Sequence, residues 1–193
     1  DADELHDALL LLSVLPPIVT LSPAAIGTKS LGWGPSPSAS ADSSFPRRTQ
    51  HDHHSLEDRE QWFAQLVEAG RAFRLALPDG RSAWVAAERI ALVRAAFPNA
   101  RLEPEPPSSL TRSASGGLSQ EEAMVTLARG WAECSGPFTA SELAQTLSLP
   151  AADMHLAVAQ LEVEWLVLRG SFRPQAAQEG SSGYRDQEFC DRR

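Results

Sequence analysis

Residues 119–174 read SQEEAMVTLARGWAECSGPFTASELAQTLSLPAADMHLAVAQLEVEWLVLRGSFRP. Ser119-Gln-Glu-Glu122 and Thr139-Ala-Ser-Glu142 both match the capping box, in which a hydroxyl caps one backbone N–H and a glutamate reaches back to another. Gly136-Pro137 separates the first predicted helix from the second, and Leu149-Pro150 separates the second from a third. The stretch therefore predicts three consecutive helices, each with its own start.

A β-hairpin is predicted directly after the third helix, which runs over Ala151–Glu164. Leu166–Leu168 reads as a strand, Arg169-Gly170-Ser171 as a turn, and Phe172 as the start of the returning strand. Three helices followed by a hairpin predict a winged helix, a module that serves nucleic-acid binding or protein scaffolding.

The first half of the chain predicts a similar unit. Apolar residues recur at helical spacing over Glu4–Val14, and a second helix follows Ser55 and ends near Gly70. Arg71–Leu77 alternates in the manner of a half-buried strand, and the Pro-Asp-Gly turn after it returns the chain through Ser82–Ala86. Ala87–Phe97 predicts a further helix.

The predicted fold is therefore mainly α with short β-hairpins, an α+β fold of two winged-helix-like modules. The first module covers residues 1–101 and contains a Gly/Pro/Ser-rich insertion at about 27–54, which is predicted to be disordered. A Pro/Ser/Gly-rich linker follows at 102–118, and the second module covers 119–174. Residues 175–193 are predicted to be a flexible tail and the start of a truncated helix, which suggests a piece of a longer protein.

The third helix of the second module has an unusual charge for a helix that enters DNA. Its core face is predicted to carry Met154, Val158, Leu161 and Trp165. Its other side shows Asp153, His155, Gln160, Glu162 and Glu164, and the helix has no Lys or Arg. A groove-reading helix normally works beside basic residues that contact phosphates. We therefore expect a spacer or docking role for this module.

Composition restricts the partners further. The net charge is −8, and Lys29 is the only lysine among 17 basic residues. This balance disfavours a general polyanion binder, because Lys and Arg make the phosphate contacts. No window approaches the roughly 18 apolar residues of a membrane span. Two cysteines do not form a disulfide framework, so we expect a reduced cytoplasmic protein with no membrane partner.

Arginines of the first hairpin form the best candidate nucleic-acid site. Only Asp79 and Glu88 oppose them between residues 71 and 89, and two further arginines lie on the predicted wing of the second module. The alternative is that all of them are solvated surface arginines. The candidate nucleic-acid-binding residues are Arg71, Arg74, Arg81, Arg89, Arg169 and Arg173.

Other chemical motifs are incomplete. Gly27-Thr-Lys-Ser30 resembles the end of a phosphate-binding loop but lacks the preceding glycine, and His51-Asp52-His53-His54 lies in a polar tract without fixed geometry. Cys134 shares the second module with His155, but nothing in the spacing holds the two together. We predict no catalytic residue, no metal site and no cofactor in this chain.

Four stretches follow one another in a distinctive order and approximate spacing: Trp84-Val-Ala-Ala-Glu-Arg89, Gly136-Pro-Phe-Thr139, Leu168-Arg-Gly-Ser-Phe-Arg-Pro174 and Glu188-Phe-Cys-Asp-Arg-Arg193. Through these stretches the chain resembles the large helicase-related (Lhr) family of bacterial superfamily-two DNA helicases. Where the family tends to have glycine after the third helix, this chain has Trp165. The motor motifs of the family are not found here.

The resemblance implies an accessory, non-motor segment of an ATP-dependent DNA helicase involved in DNA repair. Such a segment helps to position single-stranded or duplex DNA or other domains. Its implied partners are DNA, bound weakly through the arginine hairpin, and the motor domains of the same parent chain, which would hold ATP and Mg²⁺. The alternatives are a winged-helix protein-interaction scaffold and a DNA-binding transcription regulator, neither with a link to helicases.

Overall fold

The structure, a computed structural model, describes residues 1–16, 56–113, 117–173 and 187–192. The predicted insertion at about 27–54, with its two incomplete motifs, lies outside these residues. So does most of the predicted tail after Arg173.

The described part of the chain contains seven α-helices and two three-stranded antiparallel sheets, so the α+β class is confirmed. A 3₁₀ turn at Ala87–Arg89 leads into the third helix. The elements in chain order are α1 Ala2–Leu12, α2 Leu56–Glu68, β1 Ala72–Ala76, β2 Ser82–Ala86, α3 Ile90–Ala96, β3 Leu102–Glu103, α4 Ser108–Ser113, α5 Gln120–Cys134, β4 Phe138–Thr139, α6 Ala140–Leu147, α7 Ala151–Val163, β5 Val167–Gly170 and β6 Glu188–Asp191.

The first unit, α1–α4 with β1–β3, is built on the predicted hairpin. β1 pairs with β2 around the turn, and Phe73, Leu75 and Leu77 are buried as the alternation predicts. Phe63 of α2 stacks on Trp84 of β2, with ring centroids 4.5 Å apart. Gly70 ends α2 with a φ of +68°, the left-handed conformation that glycine adopts without a Cβ clash.

The predicted linker at 102–118 contains two elements that the sequence did not indicate. β3 is the third strand of the first sheet, in the order β2-β1-β3, and α4 follows it. β3 is only two residues long and pairs with β1 across a separation of almost thirty positions. A local reading of a proline-rich stretch carries no signal for such a pairing.

The second unit consists of α5, α6 and α7 with the sheet order β4-β6-β5. Both predicted capping boxes are present, because Ser119 and Thr139 each accept a hydrogen bond from the backbone of the glutamate three residues on. Met154, Val158 and Leu161 of α7 are buried, as predicted.

The predicted hairpin of the second unit is wrong in its second strand. Arg169 and Gly170 lie within β5 instead of a turn, and the partner strand is β6 at Glu188–Asp191. These residues were predicted to begin a helix. Their polar sequence has no strand periodicity, and the pairing is fixed by contacts distant in sequence, as Phe189 packs against Phe138 of β4.

The two units share one hydrophobic core. α5 packs against both α1 and α3, and the buried residues of both units belong to a single cluster. The closest approach is at Gly130 of α5, where an added Cβ would lie 2.2 Å from the backbone oxygen of Leu11. Only glycine allows α5 to lie this close to α1.

No helix in residues 1–16, 56–113, 117–173 or 187–192 combines the length and the apolarity needed to cross a bilayer.

We expect Gly130→Ala to destabilise the protein by about 2 kcal/mol, because the new methyl group would meet a backbone oxygen that cannot rotate away. This loss exceeds the gain of about 1 kcal/mol that alanine brings to a helix interior. Urea unfolding measures the effect. Gly136→Ala is the matched control, since nothing lies within 4 Å of a Cβ at that position. Equal stability of the two variants would contradict the close packing of α5 on α1.

Candidate functional site

The candidate arginines lie at separate points of the fold, and Arg71 is anchored on α1. Its Nη1 donates to Oδ1 of Asp3 over 2.7 Å, and its Nη2 donates to Nδ1 of His6 over 3.0 Å. Because guanidinium only donates, Nδ1 of buried His6 accepts, and its Nε2 is left to donate to Glu88 over 3.3 Å. The hydrogen bond and charge of Arg71 lower the pKa of Asp3.

Arg74 and Arg89 also have partners inside the first unit. Arg74 donates to a carboxylate oxygen of Glu60 over 3.3 Å, and its guanidinium lies 5.2 Å from the ring centroid of Phe63. Nε of Arg89 donates to the backbone oxygen of Leu10 over 2.8 Å. Arg74 therefore connects β1 to α2, and Arg89 connects the 3₁₀ turn after the first hairpin to α1.

Arg81 connects the hairpin turn of the first unit to α6 of the second. Its Nε donates to Asp79 over 2.6 Å, and its Nη2 donates to the backbone oxygen of Gln145 and to Oγ of Ser148. Oγ of Ser148 in turn donates to Asp79 over 2.5 Å. This hydrogen bond from Ser148, together with those from Arg81, lowers the pKa of Asp79 to about 2.

The remaining two arginines brace the second sheet. Arg169 pairs with Glu162 of α7 and lies 5.7 Å from the ring centroid of Phe189. Arg173 donates to both carboxylate oxygens of Glu142, over 2.6 and 2.8 Å, and its Nε donates to the backbone oxygen of Pro137. The hydrogen bond from Arg173 lowers the pKa of Glu142.

Each of the six predicted nucleic-acid-binding arginines thus contacts a carboxylate or a backbone oxygen of this chain. Exposed ion pairs of this kind contribute only about 0–1 kcal/mol each, so stability is not their main consequence. The consequence is that a phosphate would have to compete with these internal acceptors. In the hydrogen bonds and ion pairs described above, the six arginines use different acceptors.

The outer face of α7 carries an apolar line that the sequence analysis missed. Four residues of α7 lie at spacings of four, three and four, and all are exposed; we call them the outer stripe: Ala152, Leu156, Ala159 and Val163. Leu156 is 71% exposed and Val163 is 72% exposed. The stripe lies opposite the buried face, so α7 is apolar on two sides. The same periodicity in the sequence could have revealed it.

Trp165, predicted to pack in the core, is instead 68% exposed. It has a φ of +59° and ends α7 in a Schellman motif, in which the N–H of Trp165 bonds to the oxygen of Glu162 and the N–H of Leu166 bonds to the oxygen of Leu161. The left-handed conformation turns the chain away from the helix axis, which removes residue 165 from the helical core face. A bulky side chain in this conformation is a backbone outlier.

A groove of about 1070 Å³ runs beside the outer stripe, between α5 and α7. Its apolar lining includes Leu118, Val125 and Leu156. Four carboxylates and one guanidinium also line it: Glu121, Glu122, Asp153, Glu164 and Arg129. Arg129 pairs with Glu164 over 2.7 Å, so the groove keeps a net formal charge of −3.

Catalytic and metal-binding chemistry finds little support in the described ranges. Burial raises the pKa of the Cys134 thiol, and neighbouring Glu133 raises it further, which disfavours the reactive thiolate. Within these ranges, no group of three His, Cys, Asp or Glu side chains is arranged to hold a metal ion.

Neither a protein-family model nor a curated protein matches this chain. Its function therefore has to be inferred from the geometry above and from the resemblance carried by its sequence.

We expect Trp165→Gly to stabilise the protein by about 0.5–1 kcal/mol, because glycine adopts the left-handed cap without the steric cost that tryptophan bears. Ala159→Gly, made in the same helix, should lower the stability by about 1 kcal/mol. Chemical denaturation measures both variants. A loss of stability in Trp165→Gly would mean that the indole contributes more to packing than its exposure indicates.

Stability should fall on acidification because of the cluster around Asp79. The pKa of Asp79 is lowered from 3.8 to about 2 in the folded state. Its contribution is therefore complete above the unfolded value and is lost as the pH falls through about 2. Between pH 4 and 2, the urea midpoint of Asp79→Asn should decline less steeply than that of the wild type, and Ser148→Ala should behave similarly. Parallel pH profiles would remove Asp79 from this explanation.

Proposed function

We propose that this chain is a non-motor accessory segment of an ATP-dependent DNA helicase, and that it works mainly by holding other domains in position. The helicase link rests on the resemblance to the Lhr family. The docking role rests on one observation, the outer stripe of α7, which leaves four exposed apolar positions in a line on the helix that would otherwise read DNA.

Both units are proposed to be winged helices. The element order of the second unit supports this, because a helix, a short strand, two helices and two strands follow one another, with the first strand pairing to the last. The first unit supports it through the order of its elements, because α1 and α2 precede the β1–β2 hairpin in the chain.

DNA is proposed as a weak partner of this segment. The arginines at 71–89 and those at 169 and 173 would supply the contacts, but each already has an acceptor within the chain. ATP and Mg²⁺ are proposed to bind only the motor domains of the parent protein, which we expect to be cytoplasmic and linked to DNA repair.

The second candidate function is a winged-helix scaffold with no helicase link, which the outer stripe supports equally well. A DNA-binding transcription regulator fits less well. The exposed side of α7 presents Asp153, Glu162 and Glu164 to the place where phosphates would lie, and like charges repel there.

The test begins with the reading frame that encodes this chain, which should continue into helicase ATPase motifs. In that parent protein, removal of residues 1–192 should leave ATP hydrolysis stimulated by single-stranded DNA nearly unchanged. Duplex unwinding should fall about tenfold, because the motor would lose the domain that positions its substrate or neighbours. Unwinding at the wild-type rate, or a frame without ATPase motifs, would overturn the helicase proposal and leave the scaffold.

A further inference from the structure

We propose that the outer stripe of α7 and the groove between α5 and α7 bind an amphipathic helix that carries Lys or Arg beside its apolar positions. This inference deepens the proposed docking function by naming the chemistry of the partner. It rests on the shape, the apolar line and the charge of one continuous surface.

The apolar line has the dimensions of a helix-binding surface. Residues 152 to 163 span about 16 Å along α7, or roughly three helical turns. Helix-in-groove recognition uses anchors at this spacing on both partners. Ala152 and Ala159 are small, so a partner backbone can approach α7 closely, while Leu156 and Val163 offer side chains to interdigitate. A partner of about three turns would cover the whole line.

A partner that covers the outer stripe would bury apolar side chains that are exposed in this structure. Leu156 and Val163 are both more than two-thirds exposed. Burying side chains of this size against a partner removes apolar surface from water, which favours binding. One exposed apolar residue is normal on a protein surface, whereas a continuous exposed apolar patch marks an interaction site.

The charge beside the line selects the partner. Glu121, Glu122, Asp153 and Glu164 face the groove, and Arg129 is the one cation in its lining, where it is paired with Glu164. On the far side of α7, Glu162 is paired with Arg169. Glu122 and Glu164 accept hydrogen bonds from Ser119, Arg129 and Gln160 of this chain. The surface therefore offers mainly Glu121 and Asp153 to a partner, and it holds its own guanidiniums in internal pairs. Basic residues flanking the partner's apolar positions complement it.

The same charge disfavours the other possible occupants. A second copy of this chain would bring two surfaces of net charge −3 together. Single-stranded DNA and an anionic membrane would meet the groove with like charge. In all three cases, repulsion between like charges would lower the affinity of the groove for the occupant. A basic protein helix is therefore the occupant that fits.

Trp165 lies two residues beyond the end of the stripe and supports the inference independently. It keeps a left-handed backbone conformation that is unfavourable for tryptophan, yet its side chain adds little to the core. Strain retained at an exposed position is a feature of binding and switch sites. An indole at the end of the line suits an interface, where aromatic residues are enriched.

The probe for this inference is a fluorescein-labelled synthetic peptide of about 18 residues, long enough to sample a helix, with Leu at i, i+4, i+7 and i+11 and Lys beside them. Its acidic twin carries Glu in place of every Lys. Fluorescence anisotropy with the full chain should give a dissociation constant on the order of 10 µM for the basic peptide and much weaker binding for the acidic one.

Two double variants test the two parts of the surface. Leu156→Gln with Val163→Gln should weaken binding of the basic peptide about tenfold or more, and should fold normally, because glutamine is a good helix former. Glu121→Gln with Asp153→Asn should weaken binding about fivefold, and more at low salt. Asp7→Asn with Glu105→Gln removes the same charge from exposed positions of the first unit and should leave the affinity unchanged.

Equal loss in the last two double variants would show that only net charge attracts the peptide, and would overturn the site. Concentration-dependent dimerisation in analytical ultracentrifugation, abolished by Leu156→Gln with Val163→Gln, would replace the basic helix by a second copy. Binding of single-stranded DNA or anionic vesicles that the same variant abolishes would also overturn the proposal. The peptide assays use the chain alone, so a negative result in them contradicts the basic-helix site. A negative result in the unwinding assay of the parent protein contradicts the helicase proposal, and the two outcomes can be told apart.

Discussion

Close packing of α5 against α1 joins the two units into one structure. Gly130 lets the two helices approach until a Cβ would overlap the backbone oxygen of Leu11, and α5 also contacts α3. Each unit alone would expose the face that the other covers, since their buried residues form one cluster. Arg81 adds a polar connection at a second point, where the hairpin turn meets the end of α6. The relative position of the two units is therefore set by packing, with the hydrogen bonds fixing its register.

This arrangement explains why each candidate arginine has an acceptor within the chain. A chain of net charge −8 that must join several small elements uses its few guanidiniums as cross-links, because one guanidinium can donate to several acceptors at once. Arg81 and Arg173 each reach both a carboxylate and a backbone oxygen. The charge count between residues 71 and 89 includes Asp79 of the turn, but it could not show that carboxylates outside this range, on α1 and α2, also pair with these arginines.

Local signals in the sequence predicted most helices and the first hairpin, because capping boxes, glycine caps and apolar periodicity act over a few residues. Both capping boxes and the left-handed Gly70 confirm this. Elements made by distant pairings were missed. β3 pairs with β1 through two residues, and β6 inserts between β4 and β5. The predicted burial of Trp165 was wrong for another reason. Its hydrophobicity and spacing predicted a core position, but the left-handed turn that ends α7 places its side chain outside the core.

The outer stripe differs from these elements, because its helical spacing is a local signal that the sequence of α7 contains. Exposure of Leu156 alone would not indicate a binding site, since apolar atoms contribute more than half of an ordinary protein surface. Four exposed apolar positions at spacings of four, three and four are a different observation, because that spacing is what a helix needs to present a line to a second partner. α7 already buries Met154, Val158 and Leu161 in the core. A helix with apolar residues on both sides is ordinarily enclosed on both sides, and here the described chain encloses only one. The second side is therefore the face on which we propose that a partner binds, and its acidic border is the feature that would select that partner.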